Sequence, residues 1–100
     1  MSYAKKVDAN QSQLVKELRE AMPEASVEDL SGHGKGMTDI LVGWKGFTIP
    51  MEIKGNKGRL TQAQKDFFAR YQGHAVVVRN STEAAAEIAD GGGGDGGDGD

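Results

Sequence analysis

Apolar residues recur along this chain in two rhythms, and the change from one to the other marks its elements. From Asn10 to Met22 the rhythm is helical. At about 100° per residue, Leu14, Val15, Leu18 and Met22 fall in one stripe. Asp8 or Asn10 is placed to cap this helix, and Pro23 helps to stop it. Gln11 lies in the middle of the same stripe, while Glu20 points the opposite way and Glu17 well to the side. A polar side chain is thus aimed along the face that the pattern predicts to be buried. Ala25 to Leu30 is a weak strand candidate, and Ser31-Gly32-His33-Gly34-Lys35-Gly36 is a glycine-rich turn or open loop.

The rhythm then shortens. Asp39 to Trp44 reads as a buried strand, joined through Lys45-Gly46 to a second. There Phe47, Ile49, Met51 and Ile53 alternate with Thr48, Pro50, Glu52 and Lys54, which puts Glu52 and Lys54 on one face. Pro50 brings no amide donor, so a bulge or a sheet edge is expected there. Gly55-Asn56-Lys57-Gly58-Arg59 is a basic loop. Thr61 caps a second predicted helix reaching Tyr71, with Leu60, Phe67, Phe68 and Tyr71 toward the core and Gln64 in the middle of that stripe. His74 to Arg79 is a strand centred on Ala75 to Val78, and Ser81 opens an alanine-rich helix ending near Asp90. The order is helix, three strands, helix, strand, helix. This is an α/β domain with a mixed sheet flanked by helices, because a helix between two strands can return the chain for parallel pairing.

Composition changes this picture at the tail. Residues 91–100 contain only glycine and aspartate and cannot bury apolar surface, so residues 1–90 are expected to form the domain and 91–100 a flexible acidic tail. The tail also accounts for the whole net charge of −3, since it holds three aspartates. Residues 35–79 carry eight basic groups against three acidic ones, and local charge governs phosphate binding. The chain has no cysteine, which excludes disulfides and thiolate metal sites. Neither a hydrophobic leader core nor a run of about eighteen apolar residues is present, so no membrane partner and a cytoplasmic location are expected.

One constellation has chemical potential. Asp39 and Glu52, at strand ends, can supply oxygens to a magnesium or manganese ion, with the Ile53 carbonyl as a further ligand. Lys54, on the face of Glu52, can orient the attacking water or stabilise developing charge on a phosphodiester. Glu-x-Lys alone is also what a surface ion pair on a strand produces. Gln64 has two readings, an active-site contact and the far half of a capping box with Thr61. Gln11 is equally readable as a first-turn polar residue. His33, Lys35, Lys57 and Arg59 are the expected phosphate and substrate contacts, although a lone histidine in a glycine loop is usually solvated. Trp44 and the Phe67, Phe68 and Tyr71 rings read as core.

Five blocks in order, Lys6 to Gln11, Gly36 to Gly43, Met51 to Lys54, Leu60 to Gln64 and Val76 to Arg79, resemble the virus-type replication-repair nuclease (VRR-NUC) domain. That domain belongs to the PD-(D/E)XK superfamily, and the resemblance covers roughly residues 5–90. It implies a restriction-endonuclease-like core and a magnesium- or manganese-dependent endonuclease acting on branched DNA, similar to a Holliday-junction resolvase. It further implies a homodimer and a phage or prophage origin in a bacterial host. Asp39 and Glu52 would be metal ligands, Lys54 the catalytic lysine, and Gln64 the family's glutamine on the following helix. Gln11 falls where relatives often carry Glu or Gln. Thr38 stands where the family usually has proline, and Gln11 in place of a carboxylate implies weaker metal binding or a single metal. The alternative reading is a non-catalytic nucleic-acid-binding module of the same fold.

Overall fold

The computed structural model describes residues 9–30 and 37–93. Asp8, the loop bearing His33 and Lys35, and the last seven positions lie outside the described residues. Among those described, three helices and a four-stranded mixed sheet form an α/β fold. None of these helices is long and apolar enough to cross a membrane.

The first helix, α1, spans Ala9–Ala21 and buries Gln11, Leu14, Val15 and Leu18. Its stripe is therefore the one the spacing predicts, with the glutamine included. The weak candidate forms strand β1 (Ser26–Asp29), and β2 (Ile40–Trp44) and β3 (Phe47–Ile53) follow. β2 pairs with both neighbours antiparallel. Between β2 and β3 only Lys45 and Gly46 turn the chain, with φ of 50° and 84°. Two consecutive positive φ values match the right-handed twist of a two-residue hairpin. A lysine adopts this conformation at some cost. Its Nζ lies 4.5 Å from the centre of the half-buried Trp44 ring, a cation–π contact worth about 0.5–1 kcal/mol at an exposed site, which offsets part of it.

Pro50 forms no bulge, since the β2–β3 register runs unbroken from Trp44↔Phe47 to Ile40↔Met51. Antiparallel pairs alternate between hydrogen-bonded and non-bonded. Counted from the hairpin end, Pro50 opposite Leu41 falls at a non-bonded pair, so its missing donor faces away from β2. On that flank, β4 (Val76–Val78) pairs with β3 only from Met51 onward. The proline thus occupies the stretch of β3 whose outer side is a sheet edge.

β3 and β4 run parallel, and the chain between them carries helix α2 (Gln62–Arg70) as the crossover. The last helix, α3 (Ser81–Gly93), extends slightly past the expected Asp90. Its first turn is capped by Asn80, whose Oδ1 accepts from the Glu83 amide at 2.8 Å. Leu14, Leu18, Ile40, Met51, Val78 and Ile88 form the centre of one apolar core between the sheet and the pair α1 and α3. Burying such side chains contributes about 1.5–3 kcal/mol each.

The aromatic residues of α2 depart from expectation. Phe67 is buried, but Leu60 and Phe68 are half-buried and Tyr71 is 39 % exposed. Glu52 alternates with the core residues Met51 and Ile53, so α2, which reaches Glu52 through Gln64, serves the sheet's other face. One short helix covers little of that face, and its rings pack on one another instead. Phe67 stacks on Tyr71 at 5.0 Å between centroids and meets Phe68 edge-on at 5.5 Å. Trp44, likewise expected in the core, packs half-buried against its margin.

Candidate functional site at the ends of two strands

The β2–β3 register decides where the two acids meet. Its last pair is Ile40↔Met51, and Asp39 and Glu52 are the residues next beyond it on the two chains, which the register carried one step further would set opposite each other. Residues directly opposite in an antiparallel pair have Cβ atoms about 5 Å apart. Thirteen residues of separation in the chain thus vanish in space. Asp39 is only 7 % exposed, and its Oδ2 accepts a 2.8 Å hydrogen bond from the buried Ile53 amide. The carboxylate takes the place of a backbone acceptor just where the ladder ends. Leu30 N–H donates to the Asp39 carbonyl at 2.8 Å, which ties the same residue to the strand on its other side.

Glu52 is 3 % exposed. Two donors address its Oε2: Gln64 Nε2 at 2.8 Å and Lys54 Nζ at 3.8 Å. The Lys54 side chain is itself only 17 % exposed, so this ion pair is substantially withdrawn from water. A carboxylate so placed costs free energy unless it is paired and hydrogen-bonded, which these two donors achieve.

Gln64 completes the capping box and at the same time contacts Glu52. Its amide donates to Thr61 Oγ1 at 3.2 Å, and its Oε1 accepts from the Thr61 amide at 2.8 Å, which completes a capping box. With Oε1 engaged, Nε2 is turned to Glu52. The cap therefore fixes which end of the amide the acid meets.

Gln11 is 3 % exposed, and its Nε2 donates to Asp29 Oδ1 at 3.1 Å. Asp29 was not singled out by sequence, because an acid at the end of a weak strand has no pattern to mark it. The Ile53 carbonyl was the expected ligand atom, but the contact the structure displays is made by the Ile53 amide, to Asp39. Lys57 and Arg59 are exposed in the loop after β3 and available to a phosphate backbone. His33 and Lys35 lie outside the described residues.

Arg79 had no assigned role. Its guanidinium donates through Nη1 to the Gly55 carbonyl and through Nη2 to the Gly58 carbonyl at 3.1 Å. Its only sequence signal is its place directly after a strand of three valines.

Among the described residues, no group of three or more His, Asp or Glu side chains comes together around a common point. Two carboxylates suit magnesium, which usually keeps waters and substrate phosphate in its remaining positions. Comparison with protein-family models, with curated proteins and with solved structures returns no match for this chain.

Proposed function

We propose that the protein is a magnesium- or manganese-dependent endonuclease that hydrolyses phosphodiester bonds in DNA, with branched DNA as its preferred substrate. The observation that carries this reading is the placement of Asp39, bonded to the Ile53 amide, and of the Glu52–Lys54 pair at the adjoining ends of β2 and β3. The ordered resemblance to the virus-type replication-repair nuclease domain supports it, as does the basic excess over residues 35–79.

In this reading Asp39 and Glu52 hold the ion, with the Ile53 carbonyl as a further candidate oxygen. A bound divalent cation neutralises phosphate charge and lowers the pKa of a coordinated water. Lys54 stabilises charge that develops on the phosphate oxygens and helps to orient the attacking water. Gln64 holds Glu52 in one orientation through its amide, and Lys57 and Arg59 grip phosphates flanking the scissile bond. A homodimer would present two such sites to the two strands of a junction.

The test is incubation with four-way junction, flap, single-stranded and duplex DNA, with and without magnesium or manganese. Metal-dependent product that Glu52→Ala abolishes, with circular dichroism unchanged, is the expected result. Full activity in that variant would refute the assignment. Light scattering with and without junction DNA checks the dimer.

The second reading is a DNA-binding module without catalysis. It is favoured by the way Gln64 and Lys54 already satisfy Glu52 from within the protein. Such a module would shift DNA mobility equally in magnesium and in EDTA.

A further inference from the structure

The pose of Lys54 depends on a part of the fold that follows it by some twenty-five positions. Lys54 leaves the end of β3, where its amide donates to the Val78 carbonyl at 3.1 Å. The next residues turn back at once, and Gly58 N–H closes on the Gly55 carbonyl at 3.0 Å. This turn folds against the lysine's own stem. A Cβ added at Gly58 would stand 3.3 Å from both Cβ and Cδ of Lys54. The same Cβ would stand 3.3 Å from the Gly55 nitrogen, so a side chain here would press on both the stem and the turn, and glycine lets the two lie close together. The close turn limits where the stem can go, and the ammonium comes to rest beside Glu52.

A glycine-rich turn of this kind has little of its own to hold it, since glycine loses the most backbone freedom on folding. Arg79 supplies the restraint. Parallel pairing sets Val78 beside Ile53, so Arg79 emerges next to the start of the turn. Its guanidinium spans the turn, with one nitrogen on the Gly55 carbonyl and the other on the Gly58 carbonyl. Its backbone is anchored too, because its amide donates to Glu83 Oε1 at 2.8 Å in the first turn of α3. A planar fork with several fixed donors can bridge two carbonyls, whereas the point charge of a lysine cannot hold both in a set geometry.

We propose that Arg79 is a positioning residue for Lys54: it staples the 55–58 turn to the start of α3 and so holds the ammonium of Lys54 against Glu52. The same staple sets how Lys57, at the tip of that turn, is presented. Only the kinetic consequence rests on the proposed nuclease activity; the mechanical one stands without it.

The test uses the full chain and reads Lys54 directly. Its side-chain 13Cε and 15Nζ chemical shifts are compared at one fixed pH in the wild type, Arg79→Ala, Arg79→Lys and Gly58→Ala. With the fold confirmed by circular dichroism, both Arg79 variants should lose the wild-type Lys54 chemical shifts. Arg79→Lys should not rescue them. Gly58→Ala, which pushes on the stem with Arg79 intact, should displace the same signals. In cleavage assays the Arg79 variants should lose about ten- to a hundredfold in kcat with KM little changed, the order expected when a reacting group is misplaced by about 1 Å. A Lys54 signal unchanged in folded Arg79→Lys or Arg79→Ala overturns the proposal. If Arg79→Ala fails to fold, Arg79→Lys and Gly58→Ala decide it. A wild type that cleaves no DNA defeats the nuclease reading, and the Lys54 chemical shifts then judge Arg79 alone.

Discussion

Replacing Gln64 by glutamate separates its two duties, because the change preserves one and reverses the other. A glutamate at this helix position keeps the oxygen that accepts from the Thr61 amide and suits the positive end of α2. The other oxygen then falls where Nε2 stood, 2.8 Å from Glu52 Oε2. A hydrogen bond to a buried carboxylate, worth about 1.5–3 kcal/mol, becomes a contact between two anions. Gln64→Ala loses that bond as well, together with one half of the cap, worth about 0.5–1 kcal/mol, but adds no repulsion. At pH 7.5 each variant should therefore fall about 2–3 kcal/mol below the wild type. That is a drop in Tm of roughly 10 °C or more for a domain of this size.

The two variants part company in acid. Two carboxylates in contact raise the pKa of the pair in the folded protein above its unfolded value. The folded state then binds the extra proton, and the penalty is absent below the unfolded pKa and grows as pH rises through the folded one. Gln64→Glu should thus regain stability relative to the wild type between pH 7.5 and about pH 4.5, as one shared proton makes a new hydrogen bond. Gln64→Ala should not. Urea denaturation followed by circular dichroism at the two pH values measures the difference. Wild-type stability in Gln64→Glu at pH 7.5 would show that the contact with Glu52 carries no energy. On the proposed metal reading, magnesium at pH 7.5 should raise the stability of Gln64→Glu more than that of Gln64→Ala, since only the former adds an oxygen ligand beside Glu52.

Three further outcomes follow from the same contacts. Asp39→Ala leaves the buried Ile53 amide without this acceptor and should lose about 2 kcal/mol in thermal melts, whereas Asp39→Asn, which keeps a carbonyl there, should lose less and, on the proposed nuclease reading, should not cleave DNA. Removing Lys57 and Arg59 together should reduce the slope of log affinity against log salt by about two, with little change in Tm. Hydrogen bonds from Gln13 and Ser81 hold the Glu17 carboxyl below its usual range. The stability it adds is present at neutral pH and is lost as pH falls through the carboxylate range, so Ser81→Ala should shallow the acid limb of a pH–stability curve.

Periodicity made most of the architecture legible. A helical stripe and a period of two are direct records of which side of an element is buried, so α1, β2, β3 and the direction of Gln11 could be read locally. Parallel β4 followed from a helix lying between two apolar strands. The exposure of Tyr71 and Phe68 was not readable, because apolar spacing on α2 reports a face and not what covers it. In the site, Glu52 and Lys54 share a face by alternation alone, and the pairing register supplies Asp39. Arg79 was invisible for a different reason. Its partners are two backbone carbonyls, which every residue has, so no side-chain pattern marks the contact.

The arrangement of charge also explains why a buried acid pair is tolerable here. Asp39 takes an amide from Ile53, and Glu52 takes an amide and an ammonium, so each anion is met by donors that the fold itself fixes. Those donors come from β3, from the cap of α2, and from a lysine held by the turn and by Arg79. The site is therefore assembled from several elements that meet at this end of the sheet. Breaking one of these ties takes a donor from a buried acid, and the cost of leaving a buried charge less well satisfied exceeds what the lost partner contributed. On the proposed reading Asp39 and Glu52 would hold the divalent cation, and the staple on the 55–58 turn would keep Lys54 beside them.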